Sequence, residues 1–150
     1  MENVLLFAAG IGFVAGLRSF TAPAVVAWAA HSGYISLGQS RLAFIGTTAA
    51  AVVVSLLALG ELIADKLPKT PKRTALMPLI VRIASGAFCG ACLSQTVPAL
   101  LLGGIGALIG TFAGYQVRKR LVTSVGVKDF VVAIGEDVVA IVLACCLTFW

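Results

Sequence analysis

The chain has 150 residues, of which 60% are hydrophobic and only 11% are charged, and its formal net charge is +5. In an ordinary soluble domain about a quarter of the residues are charged, and a globule of this length has too much surface to hide so much apolar material. These numbers exclude a water-soluble or disordered chain and predict a protein whose main partner is the lipid bilayer. The basic residues stand in short runs between apolar stretches, which argues against a nucleic-acid-binding face.

Five apolar stretches are long enough to cross a membrane, because a transmembrane helix needs about 20 mainly apolar residues. The predicted spans are residues 4–30, 42–64, 76–94, 98–117 and 130–149. We therefore expect residues 1–150 to form a single polytopic membrane domain, an all-α integral membrane protein with about five transmembrane helices.

The loops between these spans differ in charge. Loops that face the cytoplasm collect lysine and arginine. The first loop holds only Arg41. The second loop holds Lys66, Lys69, Lys72 and Arg73, and the fourth loop holds Arg118, Lys119, Arg120 and Lys128. With five crossings, this distribution predicts a cytoplasmic N-terminus and an external C-terminus in the cytoplasmic (inner) membrane.

The first span contains Arg18 and Pro23, and a straight helix over residues 4–30 would be about 40 Å long. Proline disrupts a helix interior, so this span is predicted to be kinked or broken near Pro23. If it is broken, Ser19 or Thr21 could cap a second half-helix, and the exposed helix N-terminus beside Arg18 would favour an anion. Arg18, Ser19 and Thr21 are therefore candidate substrate-binding residues. The alternative is a continuous kinked helix in which Arg18 neutralises a buried acid.

Four further charged residues fall inside the spans: Glu61, Arg82, Glu136 and Asp137. Ionisable groups in a span are costly unless they are paired or hydrated, so each is a functional candidate. Counted from the span ends, they share one layer in the cytoplasmic third of the bilayer, where an arginine could bridge carboxylates in a coupling or ion-pair network. Arg18 is expected deeper, in the outer half, unless the first span is broken.

Small residues recur at helical spacing on three spans. The GxxxG patterns are Gly12 and Gly16, Gly86 and Gly90, and Gly106, Gly110 and Gly114. Such glycine seams let membrane helices approach closely. They predict packing within the chain or, alternatively, a homo-oligomer such as a dimer.

Two short stretches recur in order along the chain. Residues 58–63 resemble residues 133–138, and residues 12–17 resemble residues 110–115. An inverted-topology repeat, with helices 1 and 2 matching helices 4 and 5, would explain both likenesses, as in many transporters. Chance similarity between Gly- and Ala-rich segments explains them equally well.

Cys89 and Cys92 have the CxxC spacing of thiol redox centres. A membrane thiol oxidoreductase is therefore an alternative function, although no second cysteine pair lies in an aqueous loop to relay electrons. No phosphate-binding loop, nucleophile elbow or metal-ligand cluster stands in the sequence. We accordingly predict no cofactor and no metal, and favour a protein that is not an enzyme.

Two blocks of sequence resemble those of a bacterial inner-membrane family, the domain of unknown function numbered 4126. The blocks are residues 16–24 (GLRSFTAPA) and residues 60–68 (GELIADKLP), the latter continuing through Pro71, Arg73 and Thr74. Residues 113–115, Arg118, Glu136 and Asp137 are similar to the second-half pattern of that family. The resemblance implies a membrane protein and gives weight to Arg18, Glu61, Asp65, Arg118 and Glu136, but it assigns them no chemistry.

The sequence thus predicts a small membrane transporter or channel-like protein that handles a small solute, an ion or an anionic headgroup through a polar path. Arg18 would contact the anion, and Glu61, Arg82 and Glu136 would couple or gate the path. The third alternative is a non-catalytic scaffold subunit, in which the buried charges would only fix the register of the helices.

Overall fold

The computed structural model describes residues 2–65, 75–126 and 128–149, and within these ranges the regular structure is entirely helical. The cations predicted for the second loop, at positions 66, 69, 72 and 73, lie outside the described residues. The elements are α1 (Glu2–Leu17), α2 (Thr21–His31), a 3-10 helix (Arg41–Gly46), α3 (Thr48–Ala64), α4 (Leu76–Ser94), α5 (Val97–Ser124) and α6 (Asp129–Thr148).

The last three predicted spans correspond closely to α4, α5 and α6, which are long and apolar enough to cross a membrane. Helix α5 continues seven residues past the predicted end of its span at residue 117. The second predicted span is divided at Thr47, whose side chain caps α3 by accepting from the backbone N–H of Ala50 at 3.2 Å.

The first predicted span is two helices that run in opposite directions. Gly10 of α1 lies against Leu147 near the C-terminus of α6. The segment that follows α2 returns to the same end, where the rings of Tyr34 and Phe149 have centroids 5.0 Å apart. A continuous, kinked helix over residues 4–30 is therefore wrong, because the chain reverses at Arg18–Phe20, which we call the turn.

Pro23 is compatible with this reversal because it is the third residue of α2. A proline in the first helical turn removes an N–H that has no intrahelical partner in any case. The first intrahelical bond of α2 runs from the Ala24 N–H to the Phe20 carbonyl at 3.0 Å. The second half-helix thus begins two residues before Pro23.

The reversal places both described ends of the chain, at Glu2 and Phe149, at one end of the bundle. The side of the membrane on which each terminus lies stays a prediction. The inverted repeat also stays a prediction: α3 and α6 run antiparallel, as inversion requires, whereas α1 runs parallel to α5. The described residues form six α-helices, three of which are long and apolar enough to cross a membrane, so the count of five spans stays a prediction.

The glycine seams join helices of this one chain. Helix α1 packs against α5, with Gly106 on the Ala9 carbonyl and Gly110 on that of Phe13, and a Cβ at either glycine would lie less than 3.0 Å from backbone atoms. Gly90 of α4 has an equally close approach to the Ala99 carbonyl of α5. Since these seams are filled within the chain, the predicted homo-oligomer would need another surface.

The outward faces of α3 to α6 are apolar. Among the large hydrophobic side chains exposed there are Leu56, Ile63, Ile80, Ile109 and Val142. Soluble monomers rarely expose contiguous apolar surface on this scale. Three of these helices, α4, α5 and α6, are long and apolar enough to cross a membrane, and α3 is a shorter apolar helix. The protein is accordingly membrane-embedded, and the three helices that suggest lipid contact are α4, α5 and α6.

Candidate functional site

The turn between α1 and α2 is held by side chains from four other helices. The chain leaves α1 at Leu17 and enters α2 at Thr21, so both a helix C-terminus and a helix N-terminus lie in the interior of the bundle. Helix ends carry backbone groups without intrahelical partners. In a membrane these groups must find partners within the protein.

Glu61 of α3 caps the N-terminus of α2. Its two carboxylate oxygens accept hydrogen bonds from the backbone N–H groups of Ser19 at 2.8 Å and Phe20 at 2.9 Å. Neither Ser19 nor Thr21 makes the side-chain cap predicted for it, because the N-cap position is Phe20 and no side-chain cap forms there. The anionic group at this helix N-terminus is the protein's own carboxylate.

Arg82 of α4 binds the C-terminus of α1. Its Nη1 donates to the carbonyl oxygens of Gly16 at 2.6 Å and Leu17 at 3.1 Å. The Thr111 hydroxyl of α5 lies 3.2 Å from the same Gly16 carbonyl. Ser85 of α4 completes this set by donating to the carbonyl of Ser19.

Arg18 itself points into the bundle and has 0% of its surface exposed. It forms ion pairs with Asp65 at the end of α3 and with Asp137 of α6. A buried arginine needs such partners, since an uncompensated charge at this depth costs several kcal/mol. The sequence predicts that Arg18 lies deeper than the acidic residues unless the first span is broken. The span is broken at Arg18–Phe20, and Arg18 lies in the layer of its acidic partners.

The predicted network of Glu61, Arg82, Glu136 and Asp137 is divided between two places. Arg82 Nη2 lies 3.9 Å from Glu61 Oε1, at the turn. Asp137 joins Arg18, also at the turn. Glu136 lines a cleft between α1, α5 and α6, together with Arg118.

Arg118 is fixed at the end of this cleft by Asp129. Its Nε and Nη2 each donate to one carboxylate oxygen of Asp129 at 2.6 Å, a bidentate pair that ties α5 to the start of α6. Such planar pairing is specific to the guanidinium group. Arg118 therefore marks the position where the last turns of α5 leave the apolar part of the bundle.

Cys89 and Cys92 are free thiols on the buried face of α4. Their exposed surface is 0% and 1%, so this conformation gives a redox partner no access to either sulfur. Within the described ranges no group of three or more His, Cys, Asp or Glu residues is arranged to hold a metal ion.

Sequence reasoning did not assign Ser85 and Thr111 to the turn. Both are common residues in membrane helices, and only the reversal at Arg18 brings them to it. The role of Thr111 could have been suspected from its position directly after Gly110, in the glycine seam of a helix expected to pack closely. Asp65, which the family resemblance already singles out, stands one helical turn after Glu61 and so shares a face with it.

Comparison with known families gives one match. The family model described as Domain of unknown function (DUF4126) covers residues 5–150, so the chain belongs to this family, as the sequence blocks indicate. No curated protein and no solved structure matches the chain.

Proposed function

We propose that this member of the family is a small transporter of the cytoplasmic membrane, and that its substrate is a small anion or anionic headgroup bound at the turn. The observation that supports this most directly is the Glu61 carboxylate seated on the N-terminus of α2. Two backbone N–H groups, the positive end of a helix dipole and a nearby Arg82 form a site for a carboxylate-like anion. Broken helices whose ends meet inside the bundle are typical of secondary transporters.

In this proposal the present conformation is the closed one, in which Glu61 occupies the place of the substrate. Arg18, fully buried and paired with Asp65 and Asp137, holds the turn shut from the other side. Opening requires α3 to withdraw Glu61 from Ser19 and Phe20, after which an anion can accept the same two hydrogen bonds. An anion that satisfies these donors offsets the cost of breaking the cap.

The positive-inside rule places the end of the bundle that carries Arg118, Lys119 and Arg120 in the cytoplasm. The turn lies toward the same end, because Arg18 forms an ion pair with Asp65, the residue that follows α3. The substrate site would then lie closer to the cytoplasmic face, with the N- and C-termini outside.

Flux into liposomes that contain the purified protein tests this proposal. The probes are chloride, nitrate, acetate and inorganic phosphate, with wild type, Glu61→Gln and the control Arg41→Gln, which alters an exposed residue of the 3-10 helix. We expect wild type and Arg41→Gln to conduct at least one probe and Glu61→Gln to lose or strongly alter that flux. Tight wild-type vesicles, or flux that Glu61→Gln leaves unchanged, would overturn it.

A scaffold subunit is the second candidate, favoured by the complete burial of Arg18 among acidic partners. Buried ion pairs can serve to fix register and do not require a ligand. A scaffold predicts that another membrane protein co-purifies with this one in mild detergent. It also predicts that the association survives Glu61→Gln, which keeps the shape of the side chain and removes its charge.

A further inference from the structure

The cleft between α1, α5 and α6 has no role in the proposed transport, and its shape indicates a ligand of its own. It has a volume of about 400 Å³, and apart from Arg118 and Glu136 its walls are apolar. That volume is within the range of small-molecule sites, about 300–1,000 Å³. Along α5 the lining runs from Ala113 to Leu121, which is about 12 Å of helix.

Two glycines keep this cleft open. Gly114 is the third member of the α5 seam and lines the cleft, whereas Gly106 and Gly110 pack against α1. Gly135 faces it from α6, and a Cβ built there would meet no atom within 4 Å. The space is thus a groove between two helices into which a chain of methylene groups can fit.

The cleft reaches the basic end of the bundle. Helix α5 has 28 residues, so it is about 42 Å long against a hydrocarbon core of about 30 Å, and its last turns reach headgroup depth. Residues 118–129 contain four cations and one acid. The bidentate pair with Asp129 uses two of the five N–H donors of Arg118, which leaves others for a phosphate. Glu136 and Asp65 also act on the charge of Arg118, so the attraction for an anion must come in part from the neighbouring Lys119 and Arg120.

We propose that this cleft is a binding site for one anionic phospholipid, with an acyl chain between Gly114 and Gly135 and the phosphate at Arg118. In the cleft the acyl chain would contact apolar side chains in place of the tails of neighbouring lipids. Basic residues at headgroup depth attract anionic lipids in preference to zwitterionic ones. The cleft borders the turn at Leu17, but the lipid would use none of the groups that bind Glu61, so the proposal does not depend on transport.

Native mass spectrometry of the purified protein tests the acyl-chain part. Phosphatidylglycerol and phosphatidylcholine with identical acyl chains are titrated separately into wild type, Gly135→Leu and the matched control Gly60→Leu. Gly60 lies on the exposed side of α3, where an added Cβ also meets no atom within 4 Å. We expect Gly135→Leu to weaken phosphatidylglycerol binding by at least about tenfold, since each methylene group excluded from an apolar site costs about fourfold, and Gly60→Leu to bind as wild type does.

The headgroup part is tested with the double variant Lys119→Gln, Arg120→Gln, which changes two exposed residues. We expect it to lower the preference for phosphatidylglycerol, and this measurement stands whether or not Gly135→Leu folds. Equal retention of the two lipids by wild type would overturn the proposal, as would unchanged binding by a folded Gly135→Leu variant.

Discussion

Arg82 and Glu61 bind the two ends of one break in the chain, with Nη2 and Oε1 3.9 Å apart. Arg82 donates to the last carbonyls of α1, and Glu61 accepts from the first N–H groups of the turn before α2. Each charge opposes the dipole of the helix end that it contacts. The pair therefore stabilises a tight reversal inside the membrane, where no water could satisfy these backbone groups.

Removing the cation of this pair should destabilise the fold. In Arg82→Met the carbonyl of Leu17 loses the Arg82 donor and that of Gly16 keeps only the Thr111 hydroxyl, while Glu61 loses a neighbouring positive charge. We expect a loss of about 3–5 kcal/mol in the free energy of unfolding, as for other broken buried pairs. Thermal unfolding in detergent measures this, with Arg120→Gln, an exposed cation on α5, as the control. Equal melting temperatures for wild type and Arg82→Met would contradict the assigned role.

The effect of replacing Arg18 on the stability of the fold should depend on its two acidic partners. Arg18→Leu leaves Asp65 and Asp137 without the guanidinium that compensates them, and we expect it to cost about 3–5 kcal/mol. Adding Asp65→Asn and Asp137→Asn removes the negative charges and should restore part of the stability, because a neutral polar set is cheaper to bury than an uncompensated charge. If the triple variant is less stable than Arg18→Leu alone, charge pairing is not the main role of Arg18.

The glycines divide into two classes that substitution should separate. A Cβ at Gly12, Gly16 or Gly106 would lie less than 3.0 Å from backbone atoms of the facing helix, whereas at Gly60 or Gly135 it would meet nothing within 4 Å. Backbone cannot move aside as a flexible side chain can, so Gly16→Ala and Gly106→Ala should lower the yield of folded protein and the melting temperature. Gly60→Ala and Gly135→Ala should leave both near the wild-type values or raise them slightly, through a better helix propensity. A tolerated Gly106→Ala would show that α1 and α5 are not in the close contact described.

The sequence predicted the membrane class and the bounds of α4 and α6 well, because apolar length is a local property. It did not predict the direction of α1. Arg18 and Pro23 indicated an interruption of the helix, but the chain can continue after it in a kinked helix or reverse its direction. Which of these occurs depends on contacts of the turn with Glu61, Arg82 and Asp137, which are distant in sequence. The depth of Arg18 depended on this outcome as well, since a broken first span brings Arg18 to the layer of the acidic residues, and the orientation of the N-terminus stays a prediction.

The candidate residues were easier to predict than their partners. Ionisable residues in apolar spans stand out singly, so Arg18, Glu61 and Asp137 could be recognised from composition alone. Their pairing could not, since Glu136 and Asp137 are adjacent in sequence but serve different places, the cleft and the turn. Only the rotation of α6 about its own axis decides which of the two carboxylates faces Arg18.

The reversal predicts a topology that labelling can measure. In a variant whose four cysteines are replaced by alanine, single cysteines are introduced at Asn3, Phe149 and Arg120. Asn3 and Phe149 lie at one end of the bundle and Arg120 at the other. A membrane-impermeant maleimide added to intact cells stripped of their wall should therefore label Asn3→Cys and Phe149→Cys, and should label Arg120→Cys only after the membrane is opened.

Two controls make that result decisive. A permeant maleimide should label all three variants, which shows that each cysteine is reactive and not buried. The parent without cysteines should remain unlabelled. Labelling of Phe149→Cys but not Asn3→Cys in intact cells would place the termini on opposite sides, as a first span crossing the membrane once requires, and would contradict the antiparallel α1 and α2. Labelling of Arg120→Cys alone would keep the reversal but invert the bundle, and would remove the positive-inside argument for a substrate site near the cytoplasm.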